Sequence, residues 1–254
     1  MKFQWYVYLI LICCYSCCED NTKDYYFIKS DFYLEYNNEK KNHQSILERR
    51  TDSTYESIGL IDIKKIDSSI LVDLKYTKSD NAFGQTLYKK IKKAYVQKEV
   101  AMKLLKAHDF LKSIEPGYRL IIYDAVRPVE VQKVMWDLMD TIPIVQRVKF
   151  VSNPLNGSLH NFGAALDITI VNNSKVPIDM GANYDDPRKI AYPILEKEFQ
   201  RKGLLTQYQI DNRMLLRKVM RQAGFTQLKT EWWHFNSCTR QYALNHYKVL
   251  KKEF

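Results

Sequence analysis

Apolar residues are unevenly spread along the chain, and their spacing changes in kind from one stretch to the next. From Trp5 to Ile12 they form one short run behind Lys2. From Glu19 to about Ser53 the chain is polar, rich in Asn, Lys, Glu and Tyr, and keeps neither the helical nor the strand period, so it reads as a tether or loosely packed arm. At Ile58 the pattern changes. Ile61, Ile63, Ile66, Ile70, Val72 and Leu74 predict short strands that enter a folded domain.

Val100, Leu104, Ala107 and Leu111 recur at helical spacing within Gln97–Ser113, and Glu115-Pro116-Gly117 stops that helix before an apolar strand, Leu120–Tyr123. Proline suits a first helical turn, so a second helix is predicted after Arg127-Pro128, running through Val131, Val134, Met135 and Leu138. Leu166, Ile168 and Ile170 alternate with Asp167 and Thr169, the period of a strand with one buried face and Asp167 on the other. Helices are predicted over Pro187–Arg201 and Asp211–Ala223, with Gly224 as terminator, and a last strand over Thr230–Phe235. Strands and helices do not alternate regularly, which favours an α+β fold over a doubly wound parallel sheet.

With 254 residues, 46% of them apolar and 13% aromatic, the chain has the composition of a globular protein and room for one domain plus terminal extensions. The expected division is a signal segment at 1–18, the polar arm at 19–57 and one domain at 58–254. The net charge of +10 is scattered in short clusters such as Lys89–Lys93 and Lys248–Lys252, the pattern of solvated helix faces, so nucleic acid is not an expected partner.

Four of the five cysteines, Cys13, Cys14, Cys17 and Cys18, crowd the N-terminus, which excludes a disulfide framework in the body. The run Trp5–Ile12 behind Lys2 has the form of an export signal and is short for a bilayer span. Ser16 before Cys17 resembles the cleavage and acylation site of bacterial lipoproteins, although Cys14 and Tyr15 depart from its usual residues and Cys18 is a neighbouring candidate. The expectation is a cell-envelope protein with a lipid on Cys17 as its membrane anchor, or else a secreted one.

Two segments carry candidate chemistry. His160 precedes Asp167 by seven residues, and a loop at Gly163 could bring imidazole and carboxylate to one point, as a metal-ligand pair or as a structural hydrogen bond. Glu231-Trp232-Trp233-His234 adds a carboxylate and a second imidazole, or is an ordinary aromatic strand; joint use of Glu231 and His234 needs a bend, because residues three apart on a strand face opposite ways. Together they offer zinc two neutral nitrogens and one carboxylate, a ligand set that leaves a position for water, with a further carboxylate to take that water's proton. A third segment, Tyr123–Pro128, places Arg127 at a strand-to-helix turn, where a guanidinium can hold an oxyanion or a carboxylate.

In order and combination these segments resemble the zinc D-alanyl-D-alanine dipeptidases, within a wider group that includes D-Ala-D-Ala carboxypeptidases and the hedgehog fold. The resemblance spans roughly Ile58 to Phe235 and rests on Ser158-x-His160-x(6)-Asp167, on Glu231-x-Trp233-His234, and on the stretch Ile178–Asp185. It implies a small antiparallel sheet carrying the zinc site, flanked by helices. It further implies zinc on His160, Asp167 and His234, with Glu231 as general base and proton shuttle and Arg127 on the tetrahedral intermediate. Ser158 is implied to hold substrate, and Asp185 to pair with the free ammonium of a dipeptide; a capping role before Pro187 is the alternative for Asp185. One departure is visible, Ala125-Val126 where the family commonly has Gly-Tyr before Arg-Pro, and it bears on substrate preference more than on zinc. The expected activity is hydrolysis of D-Ala-D-Ala, in turnover of wall fragments. The alternatives are a carboxypeptidase trimming longer wall peptides, and a zinc-bound envelope protein that binds without turnover.

Overall fold

The computed structural model describes residues 22–254, with side chains from Tyr33 onward. The Trp5–Ile12 run, Cys17 and Cys18 lie outside the described residues. No helix among the described residues is long and apolar enough to cross a membrane.

The first element among the described residues is a helix, α1 (Thr22–Glu56), where the polar sequence predicted an arm without regular structure. Its side chains from Tyr33 to Arg50 are almost all exposed and form no apolar stripe, so periodicity could not reveal it. Contacts one turn apart support it, including Gln44 Nε2 to Glu48 Oε1 at 3.2 Å and Arg49 Nη2 to Ser45 Oγ at 3.3 Å. One compact unit ends at Arg50 and a second runs Thr51–Phe254, so the folded body begins seven residues before the expected start at 58. Within it, Asp52 accepts hydrogen bonds from Lys93 Nζ at 2.9 Å and Tyr95 Oη at 2.5 Å, and the buried Tyr55 stacks on Tyr95 at 4.1 Å.

Short strands follow as predicted: β1 (Leu60–Asp62), β2 (Leu71–Val72) and β3 (Tyr95–Gln97), with β1 and β3 paired antiparallel. Helix α2 (Lys98–Ile114), strand β4 (Arg119–Asp124) and helix α3 (Val129–Asp137) lie where the apolar spacing and Pro128 put them. After a single turn, α4 (Ile144–Arg147), come β5 (Ala165–Val171), α5 (Glu196–Arg201), α6 (Gln207–Gln222), β6 (Thr226–Gln227), β7 (His234–Asn236) and α7 (Arg240–His246).

The helix predicted over Pro187–Arg201 is instead two 3-10 turns and the short α5, because Pro193 lacks the N–H that a continuous helix needs. The strand predicted over Thr230–Phe235 begins only at His234. The main sheet has the order β2-β4-β5-β7-β6. β2 runs parallel to β4 and the remaining pairs are antiparallel, so the α+β expectation holds while the sheet is mixed at one edge.

Leu120, Ile122, Leu166, Ile168, Ile170 and Phe235 give the sheet an apolar face, buried in one core with Val100, Leu104 and Leu111 of α2 and Leu216, Val219 and Met220 of α6. His108 of α2 accepts the Leu120 N–H at Nδ1 (3.3 Å), and burial pulls its pKa down to about 4, which keeps it neutral for that role. β5 departs from the expected single buried face. All seven of its residues are buried, because Asp167 and Thr169 lie under the loops that build the site on the opposite side.

Candidate active site

Strand register brings the polar residues together. β5 pairs with β7 so that Asp167 lies opposite His234, and with β4 so that Asp124 lies opposite Asp167. The β4 pairing is irregular between Ile122 and Asp124; Ile122 faces Ile168 in the core, and the slip at Tyr123 carries Asp124 to the Asp167 face. A row of Asp124, Asp167 and His234 therefore crosses three adjacent strands.

His160 reaches the same point from a 3-10 turn, Leu159–Phe162, that Gly163 ends in a left-handed conformation, φ +65°. A side chain at Gly163 would meet Leu60 Cδ2 at 2.3 Å, so glycine is required both for the turn and for its close packing. The loop at Gly163 thus does what the spacing of His160 and Asp167 asked of it.

Three ligand atoms converge. His160 Nε2 lies 3.2 Å from His234 Nδ1 and 3.3 Å from Asp167 Oδ1, and His234 Nδ1 lies 3.0 Å from Asp167 Oδ1. Three ligands about 2.0–2.1 Å from a tetrahedral zinc ion stand roughly 3.3 Å apart, so this triangle is close to one face of such a site. The second ring nitrogens set the tautomers: His160 Nδ1 donates to the Ala125 carbonyl at 2.6 Å, and His234 Nε2 donates to Asn236 Oδ1 at 2.9 Å. Each imidazole thereby turns a lone pair towards the common point. Burial pushes the Asp167 carboxyl up, but protonated imidazoles outweigh it and hold it well below the usual range, and a dication at the common point would do the same with the rings neutral. The donor set, its spacing and its tautomers fit zinc.

Glu231 stands beside this triangle, with Oε2 3.8 Å from His234 Nδ1. The bend that joint use required is present, since His234 is the first residue of β7 and Glu231 precedes the strand. Burial, with Asp167 and Asp185 nearby, pushes the Glu231 carboxyl up to about 7; a bound dication would draw it down again.

Arg127 is buried. Its Nε and Nη2 both donate to Asp124 Oδ2, at 2.9 and 2.6 Å, and Nη2 lies 3.5 Å from Asp167 Oδ2. Its Nη1 makes no hydrogen bond among the described residues, and Arg127 lines the cleft. Asp124 is held in turn by Tyr88 Oη at 2.5 Å. The loop carrying Tyr88 is clamped by the C-terminal tail, where the Glu253 carboxylate accepts backbone N–H groups of Lys89, Lys90 and Ile91 at 3.0–3.1 Å.

Asp185 has φ +59° and faces the cleft, where Tyr76 Oη donates to both its oxygens at 3.1 and 3.0 Å. Burial first, then the Asp167 charge, pushes it up to about 7. Asp185 caps no helix: the next turn, Lys189–Ala191, has Arg188 at its N-cap position, and it is Asp186 that accepts the Arg188 N–H, at 2.9 Å. Ser158 also lines the cleft and donates to Gln132 Oε1 at 2.8 Å, in a network where Asn161 Nδ2 donates to Gln132 Oε1 and to the Arg127 carbonyl.

Sequence reading gave no role to Tyr76, Tyr88, Tyr184, Gln132 or Asn236. Asn236 had a signal, since it lies two residues after His234 on one strand face. The tyrosines had none. Tyr184, whose hydroxyl donates to Asp167 Oδ2 at 3.0 Å, arrives from a loop.

These groups open into a cleft of about 560 Å³, walled by apolar residues such as Phe83, Ile142, Phe150 and Trp233. Around the triangle stand four carboxylates, Asp124, Asp167, Asp185 and Glu231, against the single guanidinium of Arg127. Burial and mutual repulsion already hold Asp185 and Glu231 up near 7, and a dication or an ammonium bound here would favour their charged forms.

A family model described as D-ala-D-ala dipeptidase matches residues 56–252. The D-alanyl-D-alanine dipeptidase of Escherichia coli (strain K12) is 31% identical over 183 residues, covering 71% of this chain and 85% of that protein. One of the same description from Enterococcus faecium is 24% identical over 193 residues, 70% of this chain and 91% of the relative. Among solved structures, VanYB in complex with D-alanine-D-alanine shares 13% identity at a TM-score of 0.37, covering 62% of this chain and 80% of that one. The LdcB LD-carboxypeptidase shares 20% at 0.39, covering 69% and 70%.

Proposed function

The chain belongs to the D-Ala-D-Ala dipeptidase family, and we propose that it hydrolyses free D-Ala-D-Ala with zinc on His160, Asp167 and His234. The observation that carries this reading is the triangle of ligand atoms 3.0–3.3 Å apart with a non-ligating carboxylate, Glu231, beside it. Zinc bound there supplies a Lewis acid and lowers the pKa of a water to about 7.

The protein's own groups divide the remaining work. Glu231 takes the proton of the attacking water and returns it to the leaving amine. Arg127, fixed by Asp124, directs its free Nη1 donors at the developing oxyanion, and its rigidity means that little reorganisation is needed when charge appears. Asp185, oriented by Tyr76, receives the ammonium of the dipeptide through a charge-assisted hydrogen bond. Ser158, held by Gln132, supplies a hydroxyl to the substrate from the wall of the same cleft. The ammonium is the cation that the surplus carboxylates still lack once zinc is bound, which favours a dipeptide over a longer peptide without that amine.

The test is release of D-alanine from D-Ala-D-Ala and from a wall pentapeptide ending in D-Ala-D-Ala, side by side. The expected result is a preference of at least about 100-fold in kcat/KM for the dipeptide, the order of one well-placed buried charge contact. Equal or better cleavage of the pentapeptide would make the enzyme a carboxypeptidase. Zinc binding with neither product would leave a binding protein.

A further inference from the structure

The cleft is lined by charged groups of both signs. Asp185 and Tyr76 lie beside Arg127, whose guanidinium is 5.1 Å from the Tyr76 ring. The metal-ligand triangle follows, reached from Arg127 through Asp167. The loop before His160 adds Gly157 and Ser158 to the wall, with Arg240 against it.

Arg240 is the first residue of α7, whose N-cap Thr239 accepts the Tyr242 N–H at 3.2 Å. Its Nη1 donates to the Gly157 carbonyl at 3.0 Å, across 83 residues of sequence. That bond holds the guanidinium on the loop that carries Ser158, at Gly157, three residues before His160. From the other side, Arg240 is four residues beyond Asn236, the partner of His234 Nε2. Among the described residues no carboxylate pairs with it, and its Nε and Nη2 donate to nothing.

The other cations in the cleft wall differ. Arg127 is committed to Asp124 and Asp167, and Lys149, exposed as Arg240 is, has no side-chain hydrogen bond among the described residues. The acids of the cleft have other neighbours: Asp186 is paired with Arg188, Asp185 accepts from Tyr76, Asp167 lies within the triangle and Glu231 lies beside His234. Arg240 is therefore a cation of the cleft wall, exposed to solvent and held to the Ser158 loop by one hydrogen bond, without a carboxylate partner among the described residues.

We propose that Arg240 binds the free C-terminal carboxylate of the substrate, with Ser158 beside it, and so makes that carboxylate a requirement. The inference rests on the dipeptidase reading and deepens it. A zwitterion fits with its ammonium at Asp185, its peptide carbonyl over the triangle and its carboxylate on the planar donor edge of Arg240, whose geometry matches a carboxylate better than a lysine does. Arg240 touches substrate away from the reacting atoms, so its contact is as strong in the ground state as in the transition state. Its loss then raises KM and spares kcat.

The experiment compares D-Ala-D-Ala with its C-terminal amide for the full-length wild type and for Arg240→Ala, Arg240→Lys and Lys149→Ala. The wild type should favour the free acid. In Arg240→Ala, KM for the acid should rise about 10–100-fold, the range of one charge-assisted hydrogen bond, with kcat within about twofold and the amide unaffected. Arg240→Lys should recover part of the loss, and Lys149→Ala should match the wild type. Full acid preference in Arg240→Ala overturns the proposal. So does an equal fall in kcat on both substrates, which marks a structural role, or transfer of the effect to Lys149→Ala. A wild type inert on both substrates overturns the dipeptidase reading itself, an outcome distinct from a wild type whose acid preference ignores Arg240.

Discussion

Glu231→Gln is expected to lower kcat by about 10²–10⁴-fold while the protein still binds one zinc per chain. The substitution keeps the shape and removes only the ability to hold a proton. Glu231 stands 3.8 Å from His234 Nδ1, outside the set of ligand atoms that lie 3.0–3.3 Å apart, so its loss leaves the metal site intact. KM should change little, because proton transfer belongs to the transition state. Zinc content by absorption spectroscopy and steady-state kinetics on D-Ala-D-Ala read the two halves separately. A variant with full kcat would remove Glu231 from the mechanism, and one that loses zinc would make it a ligand.

Asp124→Ala is expected to cost stability on a scale that few single changes reach. Asp124 has no solvent exposure and receives Tyr88 Oη and two donors of Arg127. Its removal strands a guanidinium that is 7% exposed, with Asp167 at 3.5 Å as its remaining carboxylate. Breaking a buried pair from one side costs about 3–5 kcal/mol, which in a body of this size lowers Tm by roughly 6–20 °C. The freed guanidinium also competes with the metal for Asp167, so zinc affinity should fall with it. In the double variant Asp124→Ala/Arg127→Met no charge is stranded, and most of the lost stability should return although activity does not. Calorimetry of the wild type, the single and the double variant settles it. Equal Tm values for wild type and Asp124→Ala would mean that Arg127 is held by other means.

Legibility in the sequence followed the physics of each element. α2, β4 and α3 were readable because each buries one apolar face, which forces its period on the residues, and because Pro116-Gly117 and Pro128 mark their ends. α1 was not readable, since a helix that is polar all round has no such period. In the stretch 187–201 the apolar residues suggested one helix, but Pro193 divides it and turns hold its first half. Asp167 was read as leaving the aliphatic face of β5. That its own side would also be buried could not be seen, because the covering comes from residues such as Tyr184, brought in by distant loops.

The site divides in the same way. His160, Asp167, Glu231 and His234 could be chosen because metal and proton chemistry needs those residue types, and the structure brings all four together. The partner of Arg127 was present in the same segment, three residues earlier, yet only the slip in the β4–β5 register turns Asp124 towards it. Tyr76, Tyr88 and Gln132 owe their places to tertiary packing, and no local pattern marks them. The body's start at Thr51 has a practical consequence: a shortened protein that begins after Asp52 would lose the carboxylate that Lys93 and Tyr95 share, so any truncation belongs at or before Arg50.

The central claim, that one zinc ion on His160, Asp167 and His234 drives hydrolysis of D-Ala-D-Ala, is most directly tested by stripping the full chain with a chelator and titrating zinc back. D-alanine release is followed at each step. The account predicts no turnover without metal, a linear rise that breaks at one equivalent of zinc, and no such rise in His234→Ala. Full activity in the stripped protein, or no D-alanine from a chain that holds its equivalent of zinc, would contradict it.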